Sequence, residues 1–225
     1  MRTTSTRGVE HIAELLRRRW LSPKAFELEL TRPHAFEYSS GQRIRLVHEG
    51  TVRDYSLIST PRDPALALCV RKVDGGALSP LLASAEIGRS FHFTGPHGYF
   101  TFRSSPRPPV FVATGIGIAP FVAMARSGIR NATLFHGVRE PDELYYESLF
   151  RSIAWRYVPC LSGVPSTMQL PHASFRGRVT EYLKKHLRPD AYDFYLCGRS
   201  EMARDVTFLI DELFTGSLVY TEIFY

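Results

Sequence analysis

Apolar and polar residues alternate in short runs through the first hundred positions: AFELEL (25–30), QRIRLVHE (42–49), DYSLIST (54–60), ALCVRKV (67–73) and SFHFTG (90–95). A period of two is the mark of half-buried strands, and turn residues separate the runs at intervals of roughly ten positions. Such spacing predicts an antiparallel barrel or sandwich. The opening EHIAELLRRRW (10–20) fits a helical stripe nearly as well as a strand. Beyond SSPRPP (104–109) the pattern changes to apolar strand, glycine turn, amphipathic helix, repeated: PVFVAT then GIGIAPFVAMARSGI, NATLFHGV then DELYYESLFRSIA, WRYVPCLSG then GRVTEYLKKHL, and DFYLCG then SEMARDVTFLIDELF. That alternation predicts a parallel sheet with right-handed crossovers. The chain thus reads as two domains, a β-barrel over 1–103 and a nucleotide-binding type α/β domain over 107–225.

Composition narrows the function classes. At 44% hydrophobic and 22% charged, the 225 residues resemble an ordinary globular protein. No apolar run approaches the roughly 18 residues that span a bilayer, and the polar start MRTTSTRGVEH lacks a secretory core. A cytoplasmic protein without a membrane partner is expected. Cys69, Cys160 and Cys197 are far apart in sequence, which excludes a ligand set for an iron–sulfur cluster or structural zinc and gives no disulfide framework. The net charge of +6 is uneven. Residues 1–103 hold 15 Lys and Arg against 10 Asp and Glu, whereas 104–225 hold 13 against 12. The surplus is either a solvated surface or a means of steering an acidic partner. Nucleic acid is not expected, because the basic residues are dispersed and Arg17–Arg19 is their only run.

Several stretches carry chemistry. VATGIGIAP (112–120) ends a strand in Gly115 and Gly117 and opens a helix at Ala119 and Pro120, which brings backbone N–H groups and the helix dipole toward a pyrophosphate or makes a merely tight turn. Ligands of open parallel sheets bind beyond the C-terminal strand ends, where HGVRE (136–140), LSGV (161–164) and CGRSEM (197–202) also fall. VDGGALSP (73–80) leads into a helix with Ser79 as the expected N-cap and Pro80 at the first helical position, either an ordinary cap or a second anion site beside Arg71 and Lys72. RDYSLIST (53–60) sets a cation, a ring and hydroxyls side by side, as a plain strand or as a site.

RDYS, GGALS, GPHGYF (95–100), TGIGIAP, CGRSEM and the terminal EIFY follow the order and spacing of the ferredoxin–NADP reductase superfamily, and the match resembles its compact bacterial ferredoxin/flavodoxin reductases most closely. The resemblance implies an FAD-binding reductase-type barrel, an NAD(P)-binding α/β domain, and an aromatic tail returning to the flavin. In the flavin site it implies a ring contact from Tyr55, a bond from Ser56 to flavin N5 and an arginine–pyrophosphate pair from Arg53, with Asp54 in the same strand. It further implies backbone contacts from Ala77, Leu78 and Ser79, and a strand from Cys69 through Val70 and Arg71 to Lys72 running alongside FAD. Thr114 would reach the nicotinamide and flavin, and Phe224, Tyr225 or both would stack on the ring. Gly115, Gly117, Val138, Arg139, Ser162, Arg178, Cys197, Gly198 and Met202 would hold NAD(P). Cys197 would lie near nicotinamide C4, as a spacer rather than a nucleophile, and Glu222 would help proton exchange. Ser56, Cys197, Glu222 and Tyr225 form the implied catalytic set, with no metal.

The resemblance implies hydride transfer from NADPH or NADH to FAD and single-electron transfer to a separate carrier, or the reverse. The carrier would be an acidic ferredoxin or flavodoxin, or an oxygenase component, and the chain would be a monomer. A reductase subunit without independent turnover and a flavin-free binding protein are the rival readings. Arg139 and Arg178 favour a 2′-phosphate; Gly163, where such members usually have arginine, and Glu140, Asp142 and Glu143 oppose it.

Overall fold

The computed structural model describes residues 10–153 and 155–224, apart from the side chain of Phe224. The backbone divides into two compact units, Met1–Thr101 and Phe102–Tyr225.

The first unit contains β1 (Glu10–Ser22), β2 (Ala25–Thr31), β3 (Arg43–His48), β4 (Thr51–Ser56), β5 (Ala65–Arg71), α1 (Ser79–Ser84) and β6 (Ser90–His97). Its antiparallel sheet has the order β4-β3-β6-β1-β2-β5. A bridge from Leu57, just beyond β4, to Leu68 of β5 joins the two outer strands and closes the barrel. The period-two pattern dictates register. Phe26, Leu28 and Leu30 lie opposite Val70, Leu68 and Leu66, so each of these three cross-strand pairs sends two apolar side chains inward. Full burial of each such side chain contributes about 1.5–3 kcal/mol.

The ambiguous opening segment is a strand, and its three arginines show why. Arg17 pairs with Glu29 and Arg19 with Glu27 (2.7 Å) across to β2, while Arg18, on the other face, donates to the Ala85 carbonyl (2.6 Å) at the end of α1. A helix would separate Arg17 from Arg19 by about 200° and lose this register. The basic run is therefore committed to the barrel itself. The expected serine N-cap is not the cap. Leu78 is the N-cap of α1, Ser79 is its first helical residue, and the Ser79 hydroxyl accepts the Val73 N–H (3.0 Å) across the two-glycine turn. With Leu78 buried in the barrel core, the chain enters the helix one residue earlier than the serine–proline signal suggests.

The second unit contains β7 (Pro109–Thr114), a 3-10 turn (Gly115–Ile118), α2 (Ala119–Arg126), β8 (Thr133–Val138), a 3-10 turn (Pro141–Glu143), α3 (Glu147–Ser152), β9 (Arg156–Leu161), β10 (Phe175–Arg176), α4 (Val179–His186), β11 (Asp193–Arg199), α5 (Ser200–Leu213) and β12 (Leu218–Phe224). All pairings are parallel, in the order β10-β9-β8-β7-β11-β12. Val110, Val112, Phe135, Val158, Phe194 and Leu196 meet α4 and α5 on one face. On the other face Phe111 stacks on Phe121 of α2 (4.8 Å between centroids) and Phe150 of α3 on Tyr157 (5.6 Å). The helix expected over 142–154 is shorter, because Pro141–Glu143 forms a 3-10 turn and Tyr146 takes a left-handed conformation (φ 61°).

An ion pair pins the start of this sheet. Arg107 Nε lies 2.5 Å from Asp193 Oδ1, and the Asp193 side chain is buried with Oδ2 unpartnered among the described residues. Removing the cation strands a buried charge, which costs far more than an exposed pair is worth. Arg107→Ala is expected to lower the melting temperature by about 5 °C or more. A thermal melt within 1–2 °C of wild type would show that the carboxylate finds another partner.

Candidate functional site

The strand order of the second unit runs outward from β7 through β8 and β9, then returns to the other side of β7 for β11. The reversal opens a switch point between β7 and β11, where open parallel sheets bind ligands. Because every strand is parallel, the segments bearing Gly115, Gly117, Val138, Arg139, Ser162, Arg178, Cys197, Gly198 and Met202 all emerge at one end of the sheet.

Two glycines let the walls of that crevice touch. A Cβ on Gly117 would overlap the carbonyl of Cys197, and one on Gly198 (φ 135°) would overlap the Thr114 hydroxyl. Glycine alone permits both the approach and the backbone angle. The Arg199 N–H donates to Thr114 Oγ1 (3.0 Å), locking the end of β11 to the end of β7. Cys197 is fully buried and pairs in register with Ala113 and with Glu222, itself 8% exposed. Thr114, Cys197 and Glu222 thus lie toward the C-terminal ends of three adjacent strands, β7, β11 and β12.

Other members are placed differently. Met202 joins the apolar cluster between the sheet and α5, and Val138 packs with Leu144 and Leu161, so only their backbones are free to face a ligand. Ser162 spends its hydroxyl hydrogen on the Val138 carbonyl (3.2 Å). The Arg139 N–H is taken by Glu143 (3.0 Å) and the Arg178 N–H by Glu181 (3.2 Å), leaving both guanidinium groups exposed. A Cβ at Gly163 would come within 2.8 Å of the Arg139 carbonyl, so a side chain there requires this turn to shift.

In the first unit RDYS forms the end of β4. Arg53 and Tyr55 lie opposite Leu46 and Ile44; Asp54 and Ser56 lie opposite Arg45 and Arg43. Burial pushes the Tyr55 phenol up to about 12, with Arg53 acting in the other direction. Arg53 is exposed and donates to the neighbouring Val52 carbonyl (2.8 Å), so most of its guanidinium N–H groups remain available. Asp54 is held by Arg45 Nε (2.7 Å) and Arg43 Nε (3.0 Å). Burial raises its carboxyl, but these two arginines outweigh that effect and keep it below the usual carboxylate range. Asp54 is therefore a brace for β4, and Arg43 and Arg45 are the residues that sequence reasoning missed. Their signal is the R-I-R alternation at the start of β3, the strand before the one that carries Asp54.

Ser56 is the decisive side chain. It is 2% exposed, and its Oγ has no partner among the described residues. Buried hydroxyls nearly always find one. The bridge at Leu57 brings this end of β4 alongside β5, where Cys69 is buried on the face opposite Val70, and Arg71 and Lys72 are exposed. Ala77 is exposed, while the Leu78 side chain lies in the core. Tyr225 and the side chain of Phe224 lie outside the described residues.

Residues 18–102 match the oxidoreductase FAD-binding domain and residues 111–207 the oxidoreductase NAD-binding domain. Ferredoxin–NADP reductase B of Sorangium cellulosum is 37% identical over 232 residues, covering 92% of this chain and 91% of that protein. The chain belongs to the ferredoxin–NADP reductase family. The electron transfer component of toluate 1,2-dioxygenase from Pseudomonas putida is 32% identical over 74% of the chain, which spans only 52% of that relative. A ferredoxin–NADP+ reductase from Neisseria gonorrhoeae, solved with bound FAD and NADP, shares the fold at a TM-score of 0.83 with 23% identity, over 96% of this chain and 99% of that one. The FAD-binding match thus falls mainly on the barrel and the NAD-binding match on the parallel sheet. Among the described residues no helix is long and apolar enough to cross a membrane, and no group of three His, Cys, Asp or Glu side chains is placed to hold a metal.

Proposed function

We propose that the chain passes electrons between a pyridine nucleotide and a separate one-electron carrier by way of FAD. The buried hydroxyl of Ser56, unpartnered among the described residues, carries this reading, since it offers a donor for which the described barrel residues supply no acceptor. Bound FAD supplies the exchange between two-electron chemistry at nicotinamide and one-electron chemistry at the carrier. Ser56 Oγ–H donates to the flavin ring, Tyr55 packs beside it, and Arg53 neutralises the pyrophosphate with charge-assisted bonds. The glycine turn after β7 and the N-terminus of α2 receive the nucleotide pyrophosphate. Cys197 leaves room beside nicotinamide, and the Glu222 carboxylate exchanges protons with solvent.

The +5 surplus of residues 1–103 suits an acidic ferredoxin or flavodoxin. The likeness to an electron transfer component of a dioxygenase supports a second reading, in which the chain feeds an oxygenase and turns over only within that assembly. Mixing the purified yellow protein with NADPH or NADH and then with ferricyanide or cytochrome c separates the two. Rapid bleaching of the oxidised-flavin band with sustained acceptor reduction supports the autonomous reductase; bleaching without turnover supports the subunit; no bleaching with either nucleotide refutes both.

NADPH is the proposed nucleotide, with the exposed Arg178 and Arg139 as phosphate contacts. Arg178→Ala is expected to reduce kcat/KM for NADPH by about tenfold or more, the worth of one hydrogen bond to a charged group. The value for NADH should stay within about twofold, because that substrate lacks the phosphate. Equal losses with the two nucleotides would remove Arg178 from the phosphate site.

A further inference from the structure

We infer that His136, a buried residue of β8, is a positioning residue for the nucleotide-binding turn: its Nε2–H holds the Gly115 carbonyl and thereby aims the following peptide N–H at the dinucleotide. The inference rests on the proposed pyridine-nucleotide site.

The imidazole is fully buried in a strand that is otherwise apolar around it. Nε2 lies 3.0 Å from the Gly115 carbonyl oxygen and Nδ1 lies 3.1 Å from the Tyr157 hydroxyl. A carbonyl only accepts, so Nε2 carries the proton and Nδ1 accepts from Tyr157. One tautomer satisfies both contacts. Burial drives the His136 pKa down to about 4, with the Gly115 carbonyl pulling weakly the other way, and burial raises the Tyr157 phenol. The pair is accordingly a neutral imidazole fixed by a neutral phenol, itself stacked on Phe150.

What it holds is not a rung of the sheet. Gly115 is the first residue after β7, in a left-handed conformation (φ 53°), and it starts the 3-10 turn that runs into α2. In a planar trans peptide the C=O and N–H point in opposite directions. Drawing the Gly115 oxygen toward His136 therefore turns the Ile116 N–H away from the imidazole, as one of the orphan donors of a helix start. The turn itself orients this peptide, and the imidazole adds a second anchor at a glycine, the residue whose backbone is least restrained. An apolar side chain would fill the same volume at lower desolvation cost, so two matched hydrogen bonds are the reason to keep an imidazole here. The sequence carries a trace of this design: a histidine within an apolar run, immediately before Gly137.

The test compares two polar replacements. The amide of His136→Gln reaches the position of Nε2, whereas that of His136→Asn reaches only that of Nδ1. With ADP-ribose as the probe in calorimetric titration, His136→Asn is expected to bind about tenfold more weakly than wild type. His136→Gln should bind within about threefold of wild type. In turnover the Asn variant should show a raised KM with kcat at saturation within about twofold, since binding and not chemistry is affected. Val206→Ala, a core truncation on the opposite face of the sheet, should lower the melting temperature without moving either constant. Equal affinities for the Asn and Gln variants overturn the inference alone. A wild-type protein that fails to bind ADP-ribose overturns the dinucleotide reading, and this inference with it.

Discussion

Gly117→Ala is expected to reduce kcat/KM for the pyridine nucleotide by about 100-fold while the protein remains yellow. The added methyl would overlap the Cys197 carbonyl and the Gly198 Cα. These are backbone atoms of a central strand, so no rotamer change can make room. The turn after β7 must instead move away from β11, loosening the lock between Arg199 and Thr114. A displacement of about 1 Å at a site that positions substrate costs on the order of 100-fold without touching a reacting atom. Flavin retention is the internal control, because Arg53, Tyr55 and Ser56 belong to the other unit. Steady-state kinetics beside the visible spectrum decide the matter. A loss under threefold would mean that the two strand ends are free to part and that the close approach has no part in binding.

The legible and illegible parts of the chain divide by the range of the interactions. Alternation over 25–30 and 67–73 encoded both the strands and their facing, since the same residues that make the period also make the register of Phe26 with Val70 and Leu28 with Leu68. The parallel sheet and its glycine turns were equally readable, because strand, turn and helix are contiguous in sequence. EHIAELLRRRW was undecidable from its own period. It became a strand through Glu27 and Glu29, ten or so residues away, which no local pattern can supply. Ser79 misled for a related reason: serine before proline is a sound local cap signal, but burial of Leu78 in the barrel set the helix entry. The motif residues of the sites were recognisable one by one, whereas their commitments were not. Asp54 belongs to Arg43 and Arg45, Ser162 to the Val138 carbonyl, and Met202 to the core, and each of those partners comes from another strand or helix.

Ser56→Ala tests the remaining commitment from both sides. With FAD bound, the variant is expected to lose about 100-fold in the rate of flavin reduction by NADPH, the usual loss when one oriented donor is withdrawn from a developing charge. The comparison must use equal flavin occupancy, and stopped-flow bleaching measures it directly. Without FAD the sign changes. The wild-type hydroxyl is buried and has no partner among the described residues, so deleting it removes an unsatisfied polar group and leaves a hole no larger than one oxygen atom. The apoprotein should therefore melt at the same temperature as wild type or slightly above it. In the holoprotein the same substitution discards a hydrogen bond, so the stabilisation gained on adding FAD should shrink. A merely structural serine predicts the opposite pattern, with equal losses in the apo and holo forms and an unchanged reduction rate. The gap between the two melting shifts thus separates a hydroxyl kept for the barrel from one kept for its flavin.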